Sequence, residues 1–186
     1  MFVKNTLVEQ SVLLKKINTK YLPIDFDFIK NSALESFKQR RVLNNNKFSP
    51  YKNYYQADVN NNIIWIYDMI RDFYVVSNLK LKKTPILTQH SYIVVNKDSD
   101  TFLHDHIDQY DLHNSPDLTA LIPIVGDEDS FVEFFYESGR KRHMRQRVSL
   151  FEKEVILFNS ELKHRFIIDK HHENLIFLCL KMQLIS

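Results

Sequence analysis

The C-terminal half of the chain alternates short apolar runs with polar breaks. Seven of these runs are rich in β-branched or aromatic residues: Ile86–Val95, Leu118–Val125, Ser130–Tyr136, Arg147–Leu150, Val155–Phe158, Arg165–Ile168 and Leu175–Met182. Such runs between polar turns are typical of β-strands. Because they follow a region with helical periodicity, they predict a mainly β fold of the α+β class. We expect a β-sandwich or jelly roll supported by N-terminal helices.

The N-terminal half carries its apolar residues at helical spacing. We predict a short amphipathic helix over residues 5–17, and a second helix that is capped by Asp25 or Asp27 and runs to about Arg41. A third helix over residues 63–76 has the broadest apolar face. It is expected to pack on the outside of the sheet and to bury Ile66, Ile70 and Phe73.

Length and composition bound the class of protein. The 186 residues fit a single domain, with a helical support region over 1–85 and a jelly-roll core over 86–182. A net charge of +2 from 25 basic and 23 acidic residues gives no clear signal of nucleic-acid or membrane binding. Cys179 is the single cysteine, which excludes an internal disulfide. Neither a signal peptide nor an apolar run of membrane-spanning length is evident, so we expect a soluble, cytoplasmic protein.

Candidate metal chemistry is concentrated in two short stretches. The first contains His106 and Asp108, which would point to the same face of a strand because they are two residues apart. The second contains His164, directly after an apolar run and separated from Asp108 by 55 residues. Two imidazoles and one carboxylate with open coordination positions form the facial triad of non-haem Fe(II) oxygenases.

The segments around these residues resemble a known family. The stretches that carry the resemblance are Gln89–Asn96, Phe102–Asp108, Leu118–Ile124 and Phe151–His164. They are similar in order and spacing to the metal-binding half of the 2-oxoglutarate/Fe(II) dioxygenases of the prolyl 4-hydroxylase type. In that family a strand leads into His-x-Asp, and a later apolar strand ends in Phe-Pro-Ser shortly before a distal His. The resemblance covers roughly residues 86 to 182, about half the chain.

The resemblance implies a double-stranded β-helix and an oxygenase activity. His106, Asp108 and His164 would be the catalytic metal ligands, with Fe(II) and 2-oxoglutarate as cofactors. A small molecule or a peptide would be hydroxylated at a C–H bond. The chain departs from the family at the turn before the last-but-one strand, where Glu154 replaces the usual glycine.

A second departure concerns the residue that binds the far carboxylate of 2-oxoglutarate. The family usually has Arg or Lys about ten residues after the distal His, but this chain has Glu173-Asn174-Leu175 there. A working oxygenase needs another cation, because a buried carboxylate without a partner is costly. Candidate cofactor-binding residues are, in order, Arg147, Arg165 and Lys181, with Tyr92 as a neutral helper. Arg165 would point away from the metal on a regular strand, because it follows His164 directly.

Two alternatives to an oxygenase stay open. His104, His106, Asp111 and His164 also resemble the metal set of cupins, which would make the protein a cupin-type metalloenzyme. The absent cation near Asn174 favours instead a non-catalytic jelly-roll module that binds a small acid or a protein. The basic cluster over 140–147 is either a solvated hairpin or an anion site. It contains no interleaved aromatic residue, which makes a nucleic-acid groove less attractive.

Overall fold

Two antiparallel sheets and two helices make up the part of the chain that the computed structural model describes. The described residues are 2–4, 13–18, 25–38, 54–58, 64–77, 82–96, 116–138, 141–151, 154–169 and 174–186. The helices are α1 (Phe26–Lys38) and α2 (Ile64–Ser77). The strands are β1 (Phe2–Lys4), β2 (Leu13–Asn18), β3 (Tyr54–Asp58), β4 (Thr84–Asn96), β5 (Leu118–Val125), β6 (Phe131–Ser138), β7 (Lys141–Ser149), β8 (Glu154–Asn159), β9 (Lys163–Ile167) and β10 (Asn174–Ile185).

The larger sheet has seven strands in the order β1-β2-β8-β5-β10-β4-β3. The smaller sheet has three strands in the order β7-β6-β9. Strands β4 to β10 correspond one by one to the seven runs predicted from the sequence, although β7 begins earlier and β10 ends later than predicted. The predicted jelly-roll class is confirmed.

Two apolar layers hold this arrangement together. One layer joins the helices to the outer face of the large sheet, through residues such as Ile66, Leu178 and Leu180. The other layer lies between the two sheets and includes Phe177 and Cys179. Successive residues of β10 thus serve opposite layers, as the alternation of side chains along a strand requires. Because both faces of β10 are covered, its sequence is almost continuously apolar.

Two of the three predicted helices are confirmed. Helix α1 begins after Asp25, whose Oδ1 accepts a hydrogen bond from the Phe28 amide at 3.0 Å, so that Asp25 is the N-cap. Helix α2 lies within one residue of its predicted bounds. Its residues Ile66 and Ile70 are fully buried, and Phe73 is partly buried against the same layer.

The predicted helix over residues 5–17 is wrong where the structure describes it. Residues from Leu13 to Asn18 form β2, which pairs with β8 on one side and with β1 on the other. An isolated helix of that length is marginal in water. The exposed backbone edge of β8 instead offers hydrogen bonds to an extended segment, and this tertiary pairing overrides the local periodicity. The N-terminal region therefore supplies strands β1 to β3 as well as helices.

Candidate functional site

His164 is the candidate metal ligand that the structure describes. It is the second residue of β9 and is only 1% exposed. Its Nδ1 lies 2.9 Å from the carbonyl oxygen of Leu162. A carbonyl only accepts hydrogen bonds, so Nδ1 carries a proton in this contact. A backbone carbonyl that fixes the tautomer in this way is typical of histidines that bind a metal through the other nitrogen.

Aromatic rings surround the His164 imidazole between the two sheets. The ring centroid of Phe158 on β8 lies 4.9 Å away at an interplanar angle of 68°. Phe134 on β6 and Phe166 on β9 follow at 5.8 and 6.0 Å. Such edge and tilted contacts restrict the orientation of the ring. The local environment of His164 is therefore rigid and largely apolar.

Lys181 lies on the inner face of the large sheet, which His164 also faces. In the ladder across this sheet Lys181 is opposite Thr119 of β5, and Thr119 is opposite Phe158 of β8. Lys181 shares the parity of Phe177 and Cys179, which pack between the sheets, and it is 7% exposed. The Lys181 side chain is thus directed into the layer between the two sheets, in the cross-strand row formed by Lys181, Thr119 and Phe158.

Two buried hydroxyls lie beside Lys181. The Oγ1 of Thr119 and the Oγ of Ser160 are 3.0 Å apart, and both residues are fully buried. Ser160 is placed by its own amide, which donates to the carbonyl oxygen of Asp117 at 3.0 Å. The start of β5 and the end of β8 therefore bring two hydroxyls, and β10 brings a cation, to the end of the sandwich at which β9 begins.

The other two candidate cations lie on the opposite face of the small sheet. Arg147 and Arg165 are both cross-strand partners of Glu133 on β6. The Arg147 Nε donates to Glu133 Oε1 at 2.9 Å, and the Arg165 Nε donates to Glu133 Oε2 at 2.8 Å. His164 and its partner Phe134 face the interior from the neighbouring positions. Neither guanidinium therefore shares a face with His164.

Glu133 is the centre of this outer network. Burial alone would raise the pKa of its carboxyl, but hydrogen bonds from Arg147 and Arg165 and their positive charges outweigh burial. The pKa of Glu133 therefore lies below its usual value. The carboxylate is 1% exposed and remains charged at neutral pH because two guanidiniums replace its water.

Tyr92 lies on the helix-facing side of the large sheet, and not in the layer between the two sheets that contains His164. It is fully buried in the layer between the helices and the large sheet, and His90 has the same parity on β4. Burial raises the pKa of the Tyr92 hydroxyl, and the nearby Ser32 side chain of α1 offsets part of that rise. The structure does not bring Tyr92 to His164.

The remaining predicted site residues lie outside the described residues. They are His104, His106, Asp108 and Asp111, so the facial triad and the cupin set both stay predictions. Within the described ranges no group of three His, Cys, Asp or Glu side chains is placed to hold a metal ion. In the same part of the chain, no helix has the length and apolar character to cross a membrane.

The sequence reasoning missed three polar residues that the structure makes prominent. Thr119 lies in an apolar run and Ser160 lies in the polar break after another, and in neither place does a small hydroxyl have a distinctive pattern. Glu133 is the single charge in the run Phe131–Tyr136 and marks the outer face of β6. An acidic residue in an otherwise apolar strand was the one available signal, because a buried charge requires a partner.

Comparison with solved structures identifies the architecture. A Pseudomonas putida prolyl-4-hydroxylase matches with a TM-score of 0.57 at 10% identity, over 91% of this chain and 92% of that one. HygX from Streptomyces hygroscopicus, solved with nickel, 2-oxoglutarate and hygromycin B bound, matches with a TM-score of 0.58 at 10% identity, over 91% and 82%. IDO from Bacillus thuringiensis matches with a TM-score of 0.55 at 11% identity, over 93% and 91%.

The chain has the fold of these proteins. The resemblance to the prolyl 4-hydroxylase type is thereby confirmed for the architecture, a jelly roll with N-terminal helices on one sheet. No protein-family model matches the sequence, and no curated protein matches it. Identities of 10 to 11% carry the fold alone.

Proposed function

We propose that this protein is an Fe(II)- and 2-oxoglutarate-dependent oxygenase that hydroxylates a small molecule or a peptide. His106, Asp108 and His164 are the metal ligands of this proposal, and Lys181 binds the far carboxylate of the cosubstrate. The observation that carries it is the environment of His164, a buried imidazole that faces the interior of a jelly roll and has its Nδ1 hydrogen-bonded to a backbone carbonyl.

The path of the chain supports bringing His106 and Asp108 to His164. Asn96 at the end of β4 pairs with Asn174, the first residue of β10, whereas Leu118 at the start of β5 pairs with Met182 near its other end. The two described ends of the connection that carries the His-x-Asp motif are therefore separated by eight residues of β10, roughly 27 Å at about 3.4 Å per residue.

That connection ends beside the start of β9. Leu118 is also the ladder partner of Asn159, the last residue of β8, and β9 begins four residues later. Among the described strands β9 pairs only with β6, so its other edge has no partner within the described ranges. A segment running toward Leu118 beside this edge would be antiparallel to β9 and would meet it near His164.

The donor set fits a first-row metal. His164 would bind through Nε2, and His106 and Asp108 would bind from one face of an extended segment. Two imidazoles and a carboxylate leave open positions for a bidentate cosubstrate and oxygen. When bound, iron and 2-oxoglutarate supply the activation of O2 that is coupled to oxidative decarboxylation. The protein's aromatic residues around His164 keep the site dry and its geometry fixed.

Lys181 fits the anion that the family's usual cation would bind. Its ammonium lies on the inner face, in the same row as Thr119 and Phe158, and Thr119 is bonded to Ser160. A carboxylate at this place would meet a positive charge and the one hydroxyl proton that the Thr119–Ser160 bond does not use, which together offset its desolvation. The HygX structure, which has 2-oxoglutarate and nickel bound in the same fold, supports the choice of cosubstrate.

The direct test is succinate release from 2-oxoglutarate. Protein loaded with Fe(II) without oxygen should consume 2-oxoglutarate and form succinate when O2 is admitted, even with no substrate present. Asp108→Ala should abolish this turnover by removing the carboxylate ligand. Binding of 2-oxoglutarate by calorimetry with no succinate, in wild type as in Asp108→Ala, would contradict the enzyme and favour the non-catalytic binding module.

A further inference from the structure

The outer face of the small sheet presents an ordered array of charged and aromatic side chains. Val132, Phe134 and Phe166 face the interior, so the residues between them on each strand face outward. The registers of β6 with β7 and β9 place nine outward residues in three rows. They are Arg145, Arg147 and Ser149 on β7, Phe135, Glu133 and Phe131 on β6, and Lys163, Arg165 and Ile167 on β9.

The positive charge of the protein is concentrated in this array. It contains four basic residues and one acidic residue, a net charge of +3, whereas the whole chain carries only +2. The single acidic group, Glu133, is 1% exposed beneath the two guanidiniums it binds, so the charged groups that reach the surface of the array are basic. Arg145 and Lys163 are exposed, and the Arg147 side chain is 59% exposed.

The guanidiniums in the array are stacked on phenyl rings. The Arg147 Cζ lies 4.4 Å from the Phe131 ring centroid. Arg145 and Arg165 lie 5.5 and 5.2 Å from the Phe135 centroid. The contacts with the rings, together with the bonds of Arg147 and Arg165 to Glu133, restrict the guanidiniums before any ligand arrives, which lowers the entropy cost of binding.

We propose that this outer face binds single-stranded nucleic acid. Ordered guanidinium planes offer surfaces on which bases stack, and the exposed amino groups of the same side chains bind phosphates. Single strands lie across the faces of sheets that carry stacking groups. An acidic peptide would satisfy the charges but would leave the stacking planes unused. The basic cluster over 140–147 contains no aromatic residue, but Phe131 and Phe135 on the neighbouring strand β6 supply the rings.

The charge arm of the test compares two double variants. Arg145→Gln with Lys163→Gln removes two exposed cations from the array without touching the Glu133 ion pairs. Lys30→Gln with Lys83→Gln removes two exposed cations elsewhere and is the matched control. Anisotropy of a labelled oligodeoxythymidylate, titrated at several salt concentrations, should show weaker binding for the first variant alone. The slope of log K against log salt should fall by about 1.4, since each lost phosphate contact contributes about 0.7 for a single strand.

A second experiment tests the stacking with Arg145→Lys, which keeps the positive charge but removes the planar guanidinium on which a base would stack. Affinity should fall by about fivefold, equivalent to the lower end of the stacking energies measured for one base, while the salt slope stays that of the wild type. Thermal unfolding of each variant verifies that the fold is intact. Equal affinity of both double variants would overturn the proposal. So would competition by polyglutamate as effective as that by unlabelled oligonucleotide, because it would assign the face to acidic polypeptides.

Discussion

Lys181 and Thr119 are direct partners across β10 and β5, and both side chains belong to the inner face of the large sheet. The hydroxyl of Thr119 is one strand away from Phe158, whose ring packs on His164, and the cation of Lys181 is two strands away. A lysine with 7% exposure is expensive to desolvate unless an anion or several hydrogen bonds accompany it. This relationship makes Lys181 the most informative position for testing the proposed cosubstrate site.

Replacing Lys181 by methionine should abolish tight binding of 2-oxoglutarate while leaving the iron in place. Methionine fills a similar volume but leaves a buried carboxylate without a cation, at a cost of about 3 kcal/mol or more, which corresponds to roughly a hundredfold rise in Kd. Calorimetry on anaerobic Fe(II)-loaded protein measures that Kd, and metal analysis measures the iron. Lys83→Met removes an exposed lysine and serves as the control. Unchanged affinity in Lys181→Met would exclude Lys181 as the anchor.

The sequence was sufficient to predict the C-terminal strands and the layer that the helices cover. Each run from Ile86 onward is bounded by polar residues, and α2 has a wide apolar face, so local signals agree with the fold. Parity along a strand also predicted that Arg165 points away from His164 and that Lys181 shares the face of Leu175. Both follow from the two-residue period of a strand.

Contacts between distant strands were beyond the reach of the sequence. Nothing local to residues 13–18 indicates that β8 offers a free edge, so the helical spacing of Leu13 and Ile17 was misleading. The outward direction of Arg147 depends on its register opposite Glu133, which only the pairing of β6 with β7 defines. Likewise Tyr92 faces the helices because β4 and β10 pair in one register and not in the next.

Removing the His164 imidazole should release the metal. In His164→Ala, protein reconstituted with Fe(II) without oxygen is expected to retain less than about a tenth of the wild-type iron, since one of three protein ligands is lost. Metal analysis after desalting gives the iron content. His90→Ala removes a histidine from the helix-facing side of β4 and is expected to keep its iron. Equal iron in the two variants would count against the triad of His106, Asp108 and His164.

A side chain at Gly126 should destabilise the junction after β5. A Cβ built on this glycine would lie 1.9 Å from the carbonyl oxygen of Leu150, a backbone atom that follows β7 and cannot rotate away. Gly126→Ala must therefore shift one of the two segments, and we expect a loss of about 1–3 kcal/mol in the free energy of unfolding, typical of overpacking. Urea denaturation measures the loss. Glu128→Ala, at an exposed position of the same turn, should change stability little, and equal stabilities would refute the steric argument.

The ion pairs of Glu133 should make stability depend on acid pH. Because Arg147 and Arg165 lower the pKa of this carboxyl in the folded state, the contribution is complete above the unfolded pKa of about 4.3 and is lost as pH falls through the folded pKa. Glu133→Gln should therefore cost about 1–3 kcal/mol at neutral pH, the range for charge-assisted hydrogen bonds, and progressively less below about pH 4. Urea denaturation of both proteins across this range gives the difference.

Glu128→Gln, which replaces an exposed carboxylate, is the control and should show no such convergence with the wild type. A deficit in Glu133→Gln that stays constant down to low pH would mean that the lost stability arises from packing and not from the charge of Glu133.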